Sequence, residues 1–205
     1  MYRYLFKRVF DFTISLVSIL VLLPFYLVIS LLIKFDTKGS VFFRQNRLGK
    51  NGKVFRIFKF RTMVTNAESI GTGLFTDGND TRITKVGAFL RKFSLDEVPQ
   101  LINILKGDMS LIGPRPPVPY HPYEYNEYPE KYKVRFNYKP GITGWAQVHG
   151  RTNLTWPQRL ELDCEYHNNF SLILDVKIVF LTIYKILKME DVYPDDINVG
   201  KQHKN

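Results

Sequence analysis

Cysteine is nearly absent: Cys164 is the single one in 205 residues, so no intramolecular disulfide can form and a disulfide-stapled secreted scaffold is excluded. Histidine is scarce too. His121, His149, His167 and His203 are widely scattered, and without a second cysteine they offer no zinc-site spacing. Repeats and low-complexity tracts are missing, and 45% hydrophobic with 23% charged residues is ordinary globular usage. The length allows one domain plus an appendage and excludes a multidomain machine.

The most informative shortage is of acid near the N-terminus. Through Val64, 12 Lys and Arg face only Asp11 and Asp36, while the remainder balances 17 against 17. The entire net charge of +10 therefore belongs to the first third of the chain. Such a concentration points to an anionic surface, either phospholipid headgroups or nucleic-acid phosphates. Between Asp11 and Lys34 lie 22 residues without a charge, about 33 Å of helix at ~1.5 Å per residue. An apolar run of membrane length in the middle of the basic third favours the membrane and argues against a nucleic-acid partner. The run is too long for a signal-peptide core, and no small-x-small cleavage site follows it before Lys34.

Basic residues flank this run on both sides, which places both ends on the cytoplasmic side. Pro24 at mid-run removes a backbone donor and clashes with the carbonyl of Leu20. A helix broken there enters one leaflet and returns, with Ser15 or Ser18 serving the freed carbonyls. A kinked spanning helix is the alternative.

Further along, Val41–Leu48 and Val54–Met63 are strand-like runs joined by Gly49-Lys50-Asn51-Gly52, a hairpin pattern. Alternation puts Lys59 and Arg61 on one face of the second strand. Thr65–Asp80 reads as a mobile loop and a candidate lid. Helical patterns cover Lys85–Phe93 and Leu95–Leu105, the latter stopped by Gly107. Gly113–Pro117 is a stiff extended connection. Six tyrosines between Tyr120 and Tyr138 suit an interfacial belt or core packing equally. Leu172–Leu187 is apolar but interrupted by charges, as in a helix lying on a membrane surface.

Ser94-Leu95-Asp96-Glu97 has capping-box spacing, with Ser94 as N-cap. Three arginines give this acidic pair a second meaning. Arg91 precedes it, Arg115 lies in the proline-framed connection, and Arg151 follows the glycine-rich Pro140–Gly144 segment. Guanidinium groups bind phosphate in bidentate fashion, and backbone amides in glycine turns can approach a diphosphate. The combination suits phosphoryl transfer. A carboxylate at a helix N-terminus among arginines is expected to have a depressed pKa and to stand ready as an anionic nucleophile. Its neighbour can hold a divalent cation on the diphosphate, most naturally Mg2+.

The N-terminal apolar segment, FKFRTM (Phe58–Met63), SLDEVPQL (Ser94–Leu101), LKGDMSLIGPRP (Leu105–Pro116) and KPGITGWAQVHGR (Lys139–Arg151), in this order, resemble the bacterial sugar transferases known as small monotopic phosphoglycosyl transferases. The resemblance covers almost the whole chain. It implies an α+β, mainly helical fold with an N-terminal re-entrant helix-break-helix, a small β-hairpin, and interfacial amphipathic helices around a cytoplasmic active site. Residues 1–38 are then the membrane segment with basic flanks, 39–189 the catalytic domain on the membrane surface, and 190–205 a polar tail.

The implied reaction moves a phospho-sugar from a UDP-sugar to polyprenyl (undecaprenyl) phosphate and releases UMP, at the cytoplasmic face of the bacterial inner membrane. Such a step begins a glycan that downstream glycosyltransferases extend. By analogy Asp96 is the nucleophile and Glu97 the Mg2+ ligand. Arg91 and Arg115 bind phosphate, and Lys59, Arg61 and Arg151 are further phosphate or nucleotide contacts. One member of the family has a Ser-Pro pair at the membrane break where this chain has Leu23-Pro24, a departure that removes one possible hydroxyl. The competing reading is a non-catalytic, membrane-anchored protein whose arginines bind anionic lipid. The sugar and the glycan pathway are not legible.

Overall fold

A computed structural model describes residues 5–70, 73, 80–150 and 153–188. The fold is mainly helical, with two small two-stranded sheets among the described residues. Helix α1 (Lys7–Asp36) leads into the antiparallel hairpin β1 (Phe42–Leu48) and β2 (Val54–Phe60). Then come α2 (Lys85–Lys92), α3 (Gln100–Lys106), β3 (Ser110–Ile112), α4 (Glu130–Lys133), β4 (Gly141–Thr143), α5 (Trp145–Val148), α6 (Trp156–Asn168) and α7 (Leu172–Lys188).

Helix α1 is the one described helix long and apolar enough to cross a membrane. It runs uninterrupted through Pro24, so the expected helix-break-helix is a single helix. Packing explains the continuity. Its shielded positions form one stripe at three- and four-residue spacing: Arg8, Asp11, Ser15, Ile19, Leu22, Tyr26, Ile29, Ile33 and Asp36. The stripe stays in phase across Pro24, with Ile19 and Leu22 packed near Leu101 and Met109, and Tyr26, Ile29 and Ile33 packed near Phe60 and Leu90. Polar contacts reinforce both ends. Lys7 Nζ lies 2.5 Å from Asp175, the Arg8 guanidinium donates to the carbonyls of Ile104 and Leu105, and Asp36 accepts from Val86 N–H. Ser15 Oγ is buried without a partner, so it does not serve a carbonyl freed by Pro24.

The opposite face of α1 is bare, with Phe10, Leu20, Val21, Phe25 and Leu27 all exposed. Helix α7 repeats the pattern: Asp175 and Ile178 are buried, while Ile173, Phe180 and Leu187 are exposed. In the tyrosine-rich stretch core packing is seen for some residues. Tyr128 and Tyr138 are core residues, whereas Tyr120 is exposed.

The hairpin forms close to its expected limits, with Phe43 opposite Lys59 and Leu48 opposite Val54. Its turn places Asn51 and Gly52 at positive φ, as asparagine and glycine allow. The glycines of the 113–144 region have a different use from the expected phosphate cradle. A Cβ on Gly141 would lie 2.1 Å from Gly113 N, and one on Gly144 2.1 Å from Gly113 O. These glycines let β3 and β4 run parallel in close contact, and their amides are consumed there: Gly113 N–H donates to Thr143 O and Gly141 N–H to Pro114 O.

Candidate active site

The expected helix over Leu95–Leu105 starts late. Pro99 supplies no N–H and α3 begins at Gln100; Leu95–Glu97 is a single 3-10 turn entered through Ser94 at φ 57. Ser94 makes no side-chain cap bond, so the capping box is absent. The left-handed residue redirects the chain after α2 and presents both carboxylates to the hairpin instead of to a helix N-terminus.

There Lys59 of β2 meets them, its Nζ 2.7 Å from Glu97 Oε1 and 3.6 Å from Asp96 Oδ2. Arg115 bonds the same Glu97 oxygen at 2.8 Å. The register of β2 against α3 depends on Asn103, which is fully buried. It accepts from Phe58 N–H at 2.9 Å and donates to Arg56 O at 2.8 Å, acting as a strand substitute along the free edge of β2. The backbone beneath Arg115 is held twice, by Arg135 donating to Arg115 O and by Arg47 donating to Pro116 O. Arg135 in turn is paired with Asp163 of α6 at 3.0 Å, both buried.

These elements enclose a cleft of about 690 Å³. Among the described residues eight basic side chains line it against four acidic ones, Glu68, Asp96, Glu97 and Asp163, so the cleft attracts anions. Burial pushes the Asp96 carboxyl above the usual carboxylate range, and the Glu97 charge adds to the rise; Lys59, Arg91 and Arg115 pull against it. The expected depression therefore does not occur, because desolvation outweighs the cations once the carboxylate sits in a cleft wall. Arg115 moves up, chiefly through the Glu97 charge. Burial raises Asp163 to about 6 despite Arg135.

The other sequence candidates fall in different places. Arg91 lines the cleft and donates through Nε to Thr62 Oγ1 at 2.9 Å. Arg61 also lines the cleft, but its guanidinium is occupied by Lys38 O, Thr37 O and Thr37 Oγ1 at the end of α1. Alternation ceases to hold there, because β2 ends at Phe60. Pro24 lies on the exposed face of α1. Arg151 lies outside the described residues. Of the loop 65–80, residues 65–69 and Gly73 line the cleft, and Arg82 ties this stretch down by donating to Ala67 O, Ile70 O and Gly73 O while pairing with Asp80.

Sequence reading missed Arg47, Asn103, Arg135, Arg159 and Asp163. A basic residue alternating into an apolar strand was the available signal for Arg47; nothing local marked the others. Two adjacent carboxylates with no third acidic or imidazole partner among the described residues fit an ion shared with substrate phosphates, not one fully caged by protein.

Residues 2–189 match the bacterial sugar transferase family. The chain is 42% identical to the uncharacterized sugar transferase EpsL of Bacillus subtilis, over 91% of this chain and 89% of that protein. It is 43% identical to the UDP-glucose:undecaprenyl-phosphate glucose-1-phosphate transferase of Escherichia coli, over 88% of this chain and 40% of that protein. Against the UDP-N-acetylgalactosamine-undecaprenyl-phosphate N-acetylgalactosaminephosphotransferase of Aeromonas hydrophila the identity is 44%, over 88% of this chain and 43% of that protein. The chain thus spans less than half the length of these two relatives and nearly all of EpsL.

Proposed function

This chain belongs to the bacterial sugar transferase family, and from that premise we propose that it transfers a sugar 1-phosphate from a UDP-sugar to undecaprenyl phosphate at the cytoplasmic face of the membrane. The observation that carries the proposal is the Asp96–Glu97 pair facing Lys59 and Arg115 on the wall of an anion-attracting cleft. Family relatives named for this chemistry support it.

In the mechanism an Asp96 carboxylate oxygen attacks the β-phosphorus of the donor. The bond from that phosphorus to the bridging oxygen breaks, its electron pair leaves with UMP, and an aspartyl phospho-sugar remains. A phosphate oxygen of the lipid acceptor then attacks the same phosphorus and displaces Asp96, yielding a lipid-linked diphospho-sugar. Lys59 holds the two carboxylates together, and Arg91 and Arg115 neutralise charge on the transferred group. Glu97 would hold Mg2+ jointly with the diphosphate, where the ion supplies charge neutralisation. Because Glu97 already bonds Lys59 and Arg115, Mg2+ affinity should be weak without donor and rise when the donor is present, which titration calorimetry measures.

The named donors of the relatives differ, glucose in one and N-acetylgalactosamine in another, so the sugar is best identified by assay. UMP release from a panel of UDP-sugars, with undecaprenyl phosphate and Mg2+, tests the reaction. Asp96→Asn is expected to abolish release, and Glu97→Gln to lower it by roughly 10²-fold or more. An active Asp96→Asn enzyme would remove Asp96 as nucleophile, and a wild type that releases no UMP from any donor would favour the lipid-binding alternative.

A further inference from the structure

Of the four carboxylates that line the cleft among the described residues, three are committed to cations: Asp96 and Glu97 face Lys59, and Asp163 is paired with Arg135. Glu68 is different. It makes no ion pair among the described residues, and its partner is a neutral amide, Gln45 Nε2, which donates to Glu68 Oε1. The amide is fixed at its other end, because the Arg47 guanidinium donates to Gln45 Oε1. Glu68 Oε2 has no partner among the described residues, and Glu68 is exposed.

The backbone that carries Glu68 is held as firmly. Ala67–Ser69 is a 3-10 turn entered through Asn66 at φ 61, and Ser69 donates to Asn66 O through both its N–H and its hydroxyl. Arg82 bonds carbonyls before and after Glu68, Ala67 O at 2.7 Å and Ile70 O at 2.8 Å. The hairpin then relates this carboxylate to the reacting centre. Phe43 is opposite Lys59 and Gln45 is opposite Ile57, so Gln45 is the diagonal neighbour of Lys59 on one face of the sheet, about 7–8 Å away. Lys59 reaches Asp96 and Glu97, and Gln45 reaches Glu68. The separation is comparable to the width of one sugar ring.

Resting on the transferase reading above, we propose that Glu68 binds a hydroxyl group of the donor's sugar, on the sugar side of the phosphorus that Asp96 attacks. A carboxylate repels the diphosphate, so its place is beside a neutral, hydroxyl-bearing part of the donor. Hydroxyl groups donate to ionised carboxylates in short, charge-assisted bonds, and the open Oε2 is an acceptor for one. Two parts of a UDP-sugar carry hydroxyls. The sugar is bonded directly to the β-phosphate whereas the ribose lies beyond the α-phosphate, and the one-ring separation from Lys59 selects the sugar.

The test uses the full chain in phospholipid nanodiscs, with the UDP-sugar that supports UMP release, its deoxyfluoro analogues at single sugar positions, and UMP. Fluorine cannot donate, so in the wild type one analogue should lose about tenfold to a hundredfold in kcat/KM. In Glu68→Ala the parent donor should lose a similar factor and that same analogue nothing further, a coupling that a purely structural role does not produce. Glu68→Gln keeps an acceptor beside Gln45 and should recover part of the loss, and UMP affinity should be equal in all three proteins. Equal sensitivity to every analogue in wild type and Glu68→Ala overturns the proposal. So does a fall in UMP affinity in Glu68→Ala with sugar discrimination intact, which assigns the carboxylate to the ribose. A wild type that neither binds nor turns over any UDP-sugar fails at the underlying reading, a different result from an active enzyme indifferent to Glu68.

Discussion

In the proposed mechanism Asp96 must be ionised to attack phosphorus, yet burial and Glu97 hold its pKa above the ordinary carboxylate value. A raised pKa means that the nucleophile loses its proton late, so the donor half-reaction should rise with pH through an acid limb lying above the usual carboxylate range. Lys59 is the strongest influence pulling that pKa down. Lys59→Met should therefore shift the limb to higher pH, and Glu97→Gln, which removes a repelling charge, should shift it lower. Single-turnover UMP release as a function of pH reads both displacements, and a limb that stays in place in both variants would contradict the electrostatic account of the pair.

At the level of elements, the site depends on how β2, α2 and α3 are held against one another. Asn103→Ala would strip the partners from Phe58 N–H and Arg56 O at the free edge of β2. Two abandoned backbone groups cost about 2–4 kcal/mol together, and Lys59, next along the strand, would lose its position. Thermal unfolding and UMP release should fall together in this variant. Gly87 faces a harder limit, because a Cβ there would lie 2.0 Å from the carbonyl oxygen of Thr62. Gly87→Ala should push α2 outward at a cost of ~2–3 kcal/mol, displacing Arg91 from Thr62 and raising the KM for the UDP-sugar in whatever fraction folds. Urea unfolding measures the first effect and steady-state kinetics the second.

These elements also show what could be read from the chain alone. The hairpin, α2 and the stop at Gly107 follow from local alternation, helical period and glycine chemistry, all short-range and therefore visible in sequence. Asp96, Glu97 and Lys59 were identifiable as candidates because they stand in distinctive motifs. The turn that carries the acidic pair was misassigned because Ser-x-x-Glu satisfies the capping pattern whether or not the following proline delays the helix. The glycine segment was misread because close strand packing and phosphate binding select the same residue for the same lack of a side chain. Asn103 and the Arg135–Asp163 pair act across 28 or more positions of the chain, and no local pattern encodes such separation.

For the whole molecule, topology follows from which body each end of α1 touches. Lys7 and Arg8 at the start bond α7 and the end of α3, while Asp36 at the finish bonds the start of α2. A helix bound at both ends to one body cannot cross a bilayer that has this body on one side only. The bare faces of α1 and α7 nonetheless form far more exposed apolar surface than a water-soluble monomer tolerates, with Phe35, Ile173 and Leu187 each more than three-quarters exposed. We propose that α1 inserts into one leaflet without crossing, which reconciles the two facts. In a Cys164→Ser background, single cysteines placed at Phe6 and at Lys38 should then react with a membrane-impermeant maleimide from the same side, both in inside-out vesicles and neither in intact cells. Labelling of the two from opposite sides would establish a spanning helix and would require α1 to leave the stripe of contacts it makes with α2, α3 and β3, detaching the turn that carries Asp96 from the Tyr26 hydroxyl that bonds Val98 O.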